Sequence, residues 1–139
     1  MRAVLFAPLA LCLICLTTNG GCSSGDMFPV TGKVVDQAGQ PVEGLAGSQI
    51  MFSQIEGKSS SMGEIQADGS FSMFTDHPGD GVPPGDYKVY IPRRHIDPER
   101  QAPQSIDAKV EKIETSNLAA KVEQKRNTFE FKVNRAGKK

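Results

Sequence analysis

The sequence is poor in the residues that build disulfides, aromatic binding platforms and membrane spans. It contains no tryptophan, two tyrosines and three cysteines, the last of which is Cys22. The chain after Cys22 therefore has no cysteine pair to oxidise, and its fold must rest on an apolar core without a disulfide. The formal net charge is zero. No apolar run reaches the ~20 residues that a membrane-spanning helix requires.

The longest apolar run lies at the N-terminus and precedes Cys22. It extends over Ala3–Leu16 and is followed by the small-residue run Asn19–Gly21. This length is typical of the core of a secretory signal peptide and too short for a membrane span. Cys12 and Cys15 fall inside the segment and leave with it, so their spacing does not predict a metal or redox site.

Two cleavage sites fit this leader. An ordinary signal peptidase would cut among Thr17–Gly21 and leave Cys22 as a free thiol, whereas a lipoprotein peptidase would cut directly before Cys22. Gly20, Gly21 and Cys22 resemble the end of a lipobox, although Asn19 stands where an aliphatic residue is usual. The resemblance implies that Cys22 is acylated and anchors an exported chain in the cell envelope. Two acyl chains on one cysteine give stable anchoring, while one chain is marginal.

The remaining chain has the size of one domain. We predict a signal peptide at 1–21, a polar tether at 22–27, one β-domain at 28–134 and a basic tail at 135–139. Charge is unevenly distributed, since Cys22–Tyr87 carries 2 basic and 9 acidic residues, and Lys88–Lys139 carries 13 basic and 7 acidic residues. Pairing between the two halves is the favoured explanation. The alternative is a basic surface for an anionic ligand.

Short apolar runs that alternate with polar residues predict an all-β fold. Asp68-Gly69, between two such runs, predicts a type I′ hairpin turn. In Gln104–Val122 the pattern is ambiguous, and an irregular loop before the strand Leu118–Val122 is favoured over a helix. Short strands separated by turns are typical of a β-sandwich. The predicted strands lie around Phe28–Val35, Ile50–Ser53, Gly63–Gln66, Ser70–Thr75, Asp86–Ile91, Leu118–Val122 and Thr128–Val133.

The order of these motifs resembles one family. V-T-G-K-V is followed by the turn D-Q-A-G-Q-P-V, then by A-D-G-S-F and by P-P-G-D-Y-K-V-Y-I. This order resembles the carboxypeptidase regulatory-like, transthyretin-like modules, and the ending T-S-N-L-A-A-K-V-E-Q-K-R-N-T-F-E-F-K-V looks like that of small bacterial lipoproteins that carry such a module. The resemblance covers Val30–Val133. It implies a single antiparallel seven-strand-like β-sandwich, transthyretin-like or immunoglobulin-like, and no catalytic residues.

The two histidines lie in polar loops. Asp76, His77 and Asp80 contain potential metal ligands, but the run lacks the alternating oxygens and distal glutamate of a calcium loop. His95 follows two arginines, and a solvated basic loop is favoured over a catalytic base oriented by Asp97. We therefore predict no metal, no cofactor and no enzymatic activity.

The candidate binding surface begins at Tyr90, the one tyrosine predicted on an outer strand face, and continues through Arg93, Arg94 and Arg100. The predicted function is a lipid-anchored structural or protein-interaction module of the cell envelope. The alternative is a module that binds cell-wall or extracellular polysaccharide. Its partners would be the membrane, through acylated Cys22, and an envelope protein or polysaccharide. Nucleic acid is not expected, because the basic residues are interleaved with glutamate and an exported protein rarely meets it.

Overall fold

The computed structural model describes residues 25–137, and every regular element in that range is a β-strand. The predicted all-β fold is confirmed. The leader, Cys22 and the last two residues of the basic tail lie outside the described range. The strands are β1 (Val30–Val35), β2 (Gln49–Gln54), β3 (Ser60–Glu64), β4 (Ser70–Phe74), β5 (Gly85–Tyr90), β6 (His95–Asp97), β7 (Arg100–Gln101), β8 (Leu118–Val122) and β9 (Asn127–Lys132).

Seven strands form one curved sheet in the order β8-β5-β2-β3-β4-β1-β9, and β6 and β7 form a separate hairpin. Strand β4 changes partners along its length. Residues 70–72 pair with β1, and residues 73–74 pair with β3. The two edge strands, β8 and β9, are joined by the short turn 123–126. The sheet therefore curls back on itself around one core.

One pairing in this sheet is parallel. β1 and β9 run in the same direction, with Val30 opposite Asn127, while the other pairings are antiparallel. The prediction of a fully antiparallel arrangement is therefore wrong at this position. The reason is geometric: direction alternates from β1 through β4, β3, β2 and β5 to β8, so β8 opposes β1. β9 reverses β8 through a tight turn and must run parallel to β1.

The side chain of Asn127 holds the turn between the two edge strands. Its Nδ2 donates to the carbonyl oxygens of Glu123 at 3.0 Å and Lys125 at 2.6 Å, and its Oδ1 accepts from the N–H of Glu123 at 3.0 Å. An asparagine that satisfies three backbone groups can be buried at little cost. This explains why a polar residue is buried at the first position of β9.

The core is built from the inward side chains of alternating strand positions, as predicted. Phe52 lies at its centre, with ring centroids 5.9 Å from Tyr87 and Phe131 and 6.5 Å from Phe71. Gly32 lies beside these rings, and a Cβ there would come within 2.6 Å of the Phe71 ring and would also meet the Phe129 carbonyl oxygen. Only glycine fits this position because two strands and an aromatic ring converge on it.

The hairpin between β3 and β4 differs from the predicted turn. The Gly69 N–H donates to the Gln66 carbonyl at 2.9 Å, and Gly69 has φ 81° whereas Asp68 has no positive φ. This is a type I turn followed by a left-handed glycine, the arrangement of a three-residue hairpin loop with a bulge. The predicted type I′ turn is wrong, because the loop contains Ala67 as well as Asp68 and Gly69.

The ambiguous segment before β8 is an irregular loop, as favoured. Ile106 and Val110 point into the core, and the Val110 carbonyl accepts from the Ile91 N–H at 2.9 Å. Ser116 Oγ donates to the Val89 carbonyl and anchors the end of the loop against β5. The near-helical spacing of these apolar residues reflects two separate contacts with the core.

Candidate functional site

The strand directions sort the loops to two ends of the domain. At the tether end, where the described chain begins, Phe28 bridges to Val82 and the Asn127 N–H donates to the Pro29 carbonyl at 2.9 Å. Loops 55–59 and 75–84 and the turn 123–126 lie at this end. The β6–β7 hairpin and the predicted arginines lie at the opposite, distal end. Cys22 lies outside the described residues, but it precedes Phe28 by six residues, which span at most ~20 Å.

The three predicted arginines do not converge on one ligand position. Arg93 makes a fork with Glu111, with Nε 3.1 Å from Oε1 and Nη2 2.7 Å from Oε2. This hydrogen bonding raises the pKa of Arg93. Arg94 Nη1 lies 3.5 Å from the Ala46 carbonyl, and Arg100 Nε lies 3.7 Å from Asp97 on the exposed hairpin. The arginines therefore serve three separate local contacts.

Most ion pairs of the described residues lie within the basic half of the chain. The described residues form four ion pairs: Arg93–Glu111, Arg100–Asp97, Lys125–Glu123 and Arg135–Asp36. Only the last joins the acidic half to the basic half. The favoured pairing between halves therefore accounts for one ion pair in the described residues, and local carboxylates hold Arg93, Arg100 and Lys125.

Asp80 organises the loop that contains His77. Its Oδ1 accepts from the Thr75 N–H at 2.9 Å, and its Oδ2 accepts from the N–H groups of Asp76 and His77 at 2.8 Å each. Desolvation raises the pKa of Asp80, but these backbone donors outweigh it and lower the pKa below its usual value. Both carboxylate oxygens are thus engaged in shaping the loop, as the interpretation of a polar turn predicts.

His95 lies on exposed β6, with Nε2 3.5 Å from Gln101 Nε2. Across residues 25–137 there is no group of three or more His, Cys, Asp or Glu side chains suited to a metal ion.

Tyr90 lies on the outer face of β5 and belongs to a row of apolar side chains. It is opposite Met51 on β2, Met51 is opposite Met62 on β3, and Met62 is opposite Phe74 on β4. Each of the four is half-buried, and their strand neighbours Ile50, Phe52, Val89 and Met73 point into the core. We call Tyr90, Met51, Met62 and Phe74 the outer stripe.

Polar, mostly uncharged residues flank the outer stripe on the same face. Toward the tether end, Ser53 is opposite Ser60 and Lys88. Toward the distal end, Gln49 is opposite Glu64. These residues lie two positions along their strands from stripe members, so their side chains share the stripe's face. The site is an apolar row with hydroxyl, amide and single charged groups on its two sides.

Alternation along the sequence predicted Tyr90 on an outer face but did not predict the other three members of the stripe. The available indication was an apolar residue at outward parity on each of four strands. The pairing register was needed to show that the four residues lie side by side.

No protein-family model matches this chain, and no curated protein matches it. Among solved structures, the chain is similar to the crystal structure of a DUF3823 family protein from Parabacteroides merdae, with a TM-score of 0.50 and 13% sequence identity. The match covers 80% of this chain and 47% of the other, so this chain spans about half the length of that protein. At this identity the similarity shows the fold alone. In the described range, no helix has the length and apolar character needed to cross a membrane.

Proposed function

We propose that this protein is an exported lipoprotein of the bacterial cell envelope, in which a non-catalytic β-sandwich of the transthyretin-like kind acts as an interaction module. The apolar leader and Gly20-Gly21-Cys22 support export and acylation. The two-layer arrangement is supported by aromatic contacts between strands on opposite sides of the core. The rings of Phe52 on β2 and Phe131 on β9 lie 5.9 Å apart, although these strands are not paired.

The observation that carries the proposal is the position of Cys22 relative to the fold. It is the last cysteine of the chain and precedes the first sheet contact, at Phe28, by six residues. Acylation there would hold the tether end close to the bilayer. The distal end and the outer stripe would then be available to other molecules of the envelope.

Internal contacts support a non-catalytic role. Asp80, in the loop that contains His77, and Arg93, which pairs with Glu111, use their charged groups to fix loops. A charged group that already makes these hydrogen bonds stabilises a loop and has fewer free donors or acceptors with which to bind a substrate.

Labelling of bacteria with radioactive palmitate tests the anchoring. The full-length protein should incorporate label and partition into a detergent phase, because two acyl chains give stable membrane association. Cys22→Ser should lose the label. Cys15→Ser is the matched control and should retain it, since Cys15 lies in the leader. Equal labelling of the two variants, or an unlabelled full-length protein, would contradict the proposal.

A second candidate function, polysaccharide binding, is favoured by one observation. Tyr90 lies at one end of the outer stripe and Phe74 at the other. The stripe therefore offers a sugar more apolar surface than one tyrosine alone would.

A further inference from the structure

The outer stripe is long and narrow. It crosses four adjacent strands, and three spacings of ~4.8 Å give a length of about 14 Å. It is one side chain wide, because the next residues on the same face, Ser53 and Gln49 on β2, are polar. A ligand that matches this shape is an extended chain lying across the strands.

The exposed area is too small for a stable protein interface. An aromatic side chain carries ~150–250 Å² of surface, and the four stripe residues are half-buried. Together they expose a few hundred Å² at most, against ~800 Å² per partner in a standard protein–protein interface. The area therefore favours a slender ligand over a second copy of the chain or another folded domain.

The direction of the stripe relative to the strands favours a sugar chain over a peptide as its ligand. An extended peptide gains its affinity from main-chain hydrogen bonds at a sheet edge, whereas this stripe crosses the face of four strands that are all internal to the sheet. Ligand polar groups would be met by side chains: the hydroxyls of Ser53 and Ser60 on one flank, and Gln49 and Glu64 on the other. Hydroxyl, amide and carboxylate groups complement sugar hydroxyls.

The charge of the flanks is close to balanced. Lys88 lies on one flank and Glu64 on the other, so the surface offers no excess of one sign to a strongly anionic chain. The complementary ligand is uncharged.

We propose that the outer stripe binds a neutral polysaccharide made of linked hexopyranose rings. The apolar C–H faces of successive rings would rest on Tyr90, Met51, Met62 and Phe74, and their hydroxyls would bond to the polar flanks. This assignment names the ligand of the interaction module and rests on that part of the proposed function. It is independent of the acyl anchor.

Affinity electrophoresis provides the test, with hydroxyethylcellulose, barley β-glucan and konjac glucomannan cast separately into native gels. The protein expressed from the full chain is used, purified from whichever fraction contains it, so a failure of acylation leaves this experiment intact. At least one of the three polysaccharides should retard migration. Tyr90→Ala and Phe74→Ala should each weaken binding about tenfold, equivalent to ~1.4 kcal/mol.

Two matched variants separate ligand contact from folding. Tyr90→Phe keeps the ring and should bind within about threefold of the parent. Ile55→Ala removes an exposed apolar side chain outside the stripe and should bind as the parent does. Thermal melts identify any alanine variant that is unfolded. Tyr90 and Phe74 lie at opposite ends of the stripe, so one folded alanine variant of the two is enough to test ligand contact.

Three results would overturn the assignment. None of the three polysaccharides retards the parent protein, or the folded variants Tyr90→Ala and Phe74→Ala bind as the parent does. The third is that binding is lost only when Arg93, Arg94 and Arg100 are changed to Ser. If analytical ultracentrifugation shows a dimer of the parent protein and a monomer of Met62→Glu, the stripe is assigned to a protein interface instead.

Discussion

At the residue scale, strand parity decides which side chains pack in the core and which lie on the outer face. Phe131 and Phe74 illustrate the difference. Phe131 is 5% exposed and lies about 6 Å from the rings of Phe52, Phe71 and Phe129. Phe74 has the opposite parity to its buried neighbour Met73 and is half-buried on the outer stripe. The same residue type therefore occupies two environments, the core and the outer face.

Replacing each phenylalanine by alanine measures this difference. Phe131→Ala should lower the free energy of unfolding by ~3–5 kcal/mol, because it leaves a cavity among packed rings. Phe74→Ala should cost less, about 1 kcal/mol, because part of the side chain already contacts water. Urea denaturation measures both values. A loss below ~1 kcal/mol for Phe131→Ala would mean that the face of β9 is inverted.

The sequence predicted inward residues better than it predicted the site. Alternation within one strand is a local property, and it correctly left Tyr90 as the tyrosine on an outer strand face, while Tyr87 is buried in the core. The outer stripe depends on the register of four strands, of which β5 is distant in sequence from β2. Local alternation contains no information on that register, so Tyr90 was identified without its neighbours.

At the element scale, two features depend on how strands are joined and ordered. The parallel β1–β9 pair follows from strand order around the sheet, which local patterns do not specify. The β3–β4 hairpin was predicted at the correct position but with the wrong turn type. Its bulge lets Gly69 approach β1, where the Val34 N–H donates to the Gly69 carbonyl at 2.9 Å.

Two glycines with similar backbone conformations separate strain from crowding in this hairpin. Gly69 and Gly39 have φ 81° and 79°, but a Cβ at Gly69 would lie 2.5 Å from the Val34 carbonyl oxygen, while one at Gly39 meets nothing within 4 Å. Gly39→Ala should cost ~1–2 kcal/mol for the left-handed backbone alone. Gly69→Ala should cost distinctly more in the same denaturation experiment. Equal losses would show that the hairpin does not press against β1.

At the scale of the whole molecule, the proposed function combines an acyl anchor next to the tether end with an outer face for binding. The tether end carries the start of the described chain, and the β6–β7 hairpin with Arg94 and Arg100 lies at the distal end. The arginines were grouped with Tyr90 because they follow it in sequence. The structure disperses them among separate contacts, because the adjacent Arg93 and Arg94 reach Glu111 and the Ala46 carbonyl, and Arg100 lies on β7 beside Asp97.

The central claim, that the chain is anchored through Cys22 next to this domain, is tested most directly by mass spectrometry of the mature N-terminal peptide. If the chain is anchored in this way, the spectrum will show a peptide that begins at Cys22 and carries a diacylglyceryl group on its sulfur. A peptide that begins among Thr17–Gly21 and contains an unmodified Cys22 thiol would contradict it.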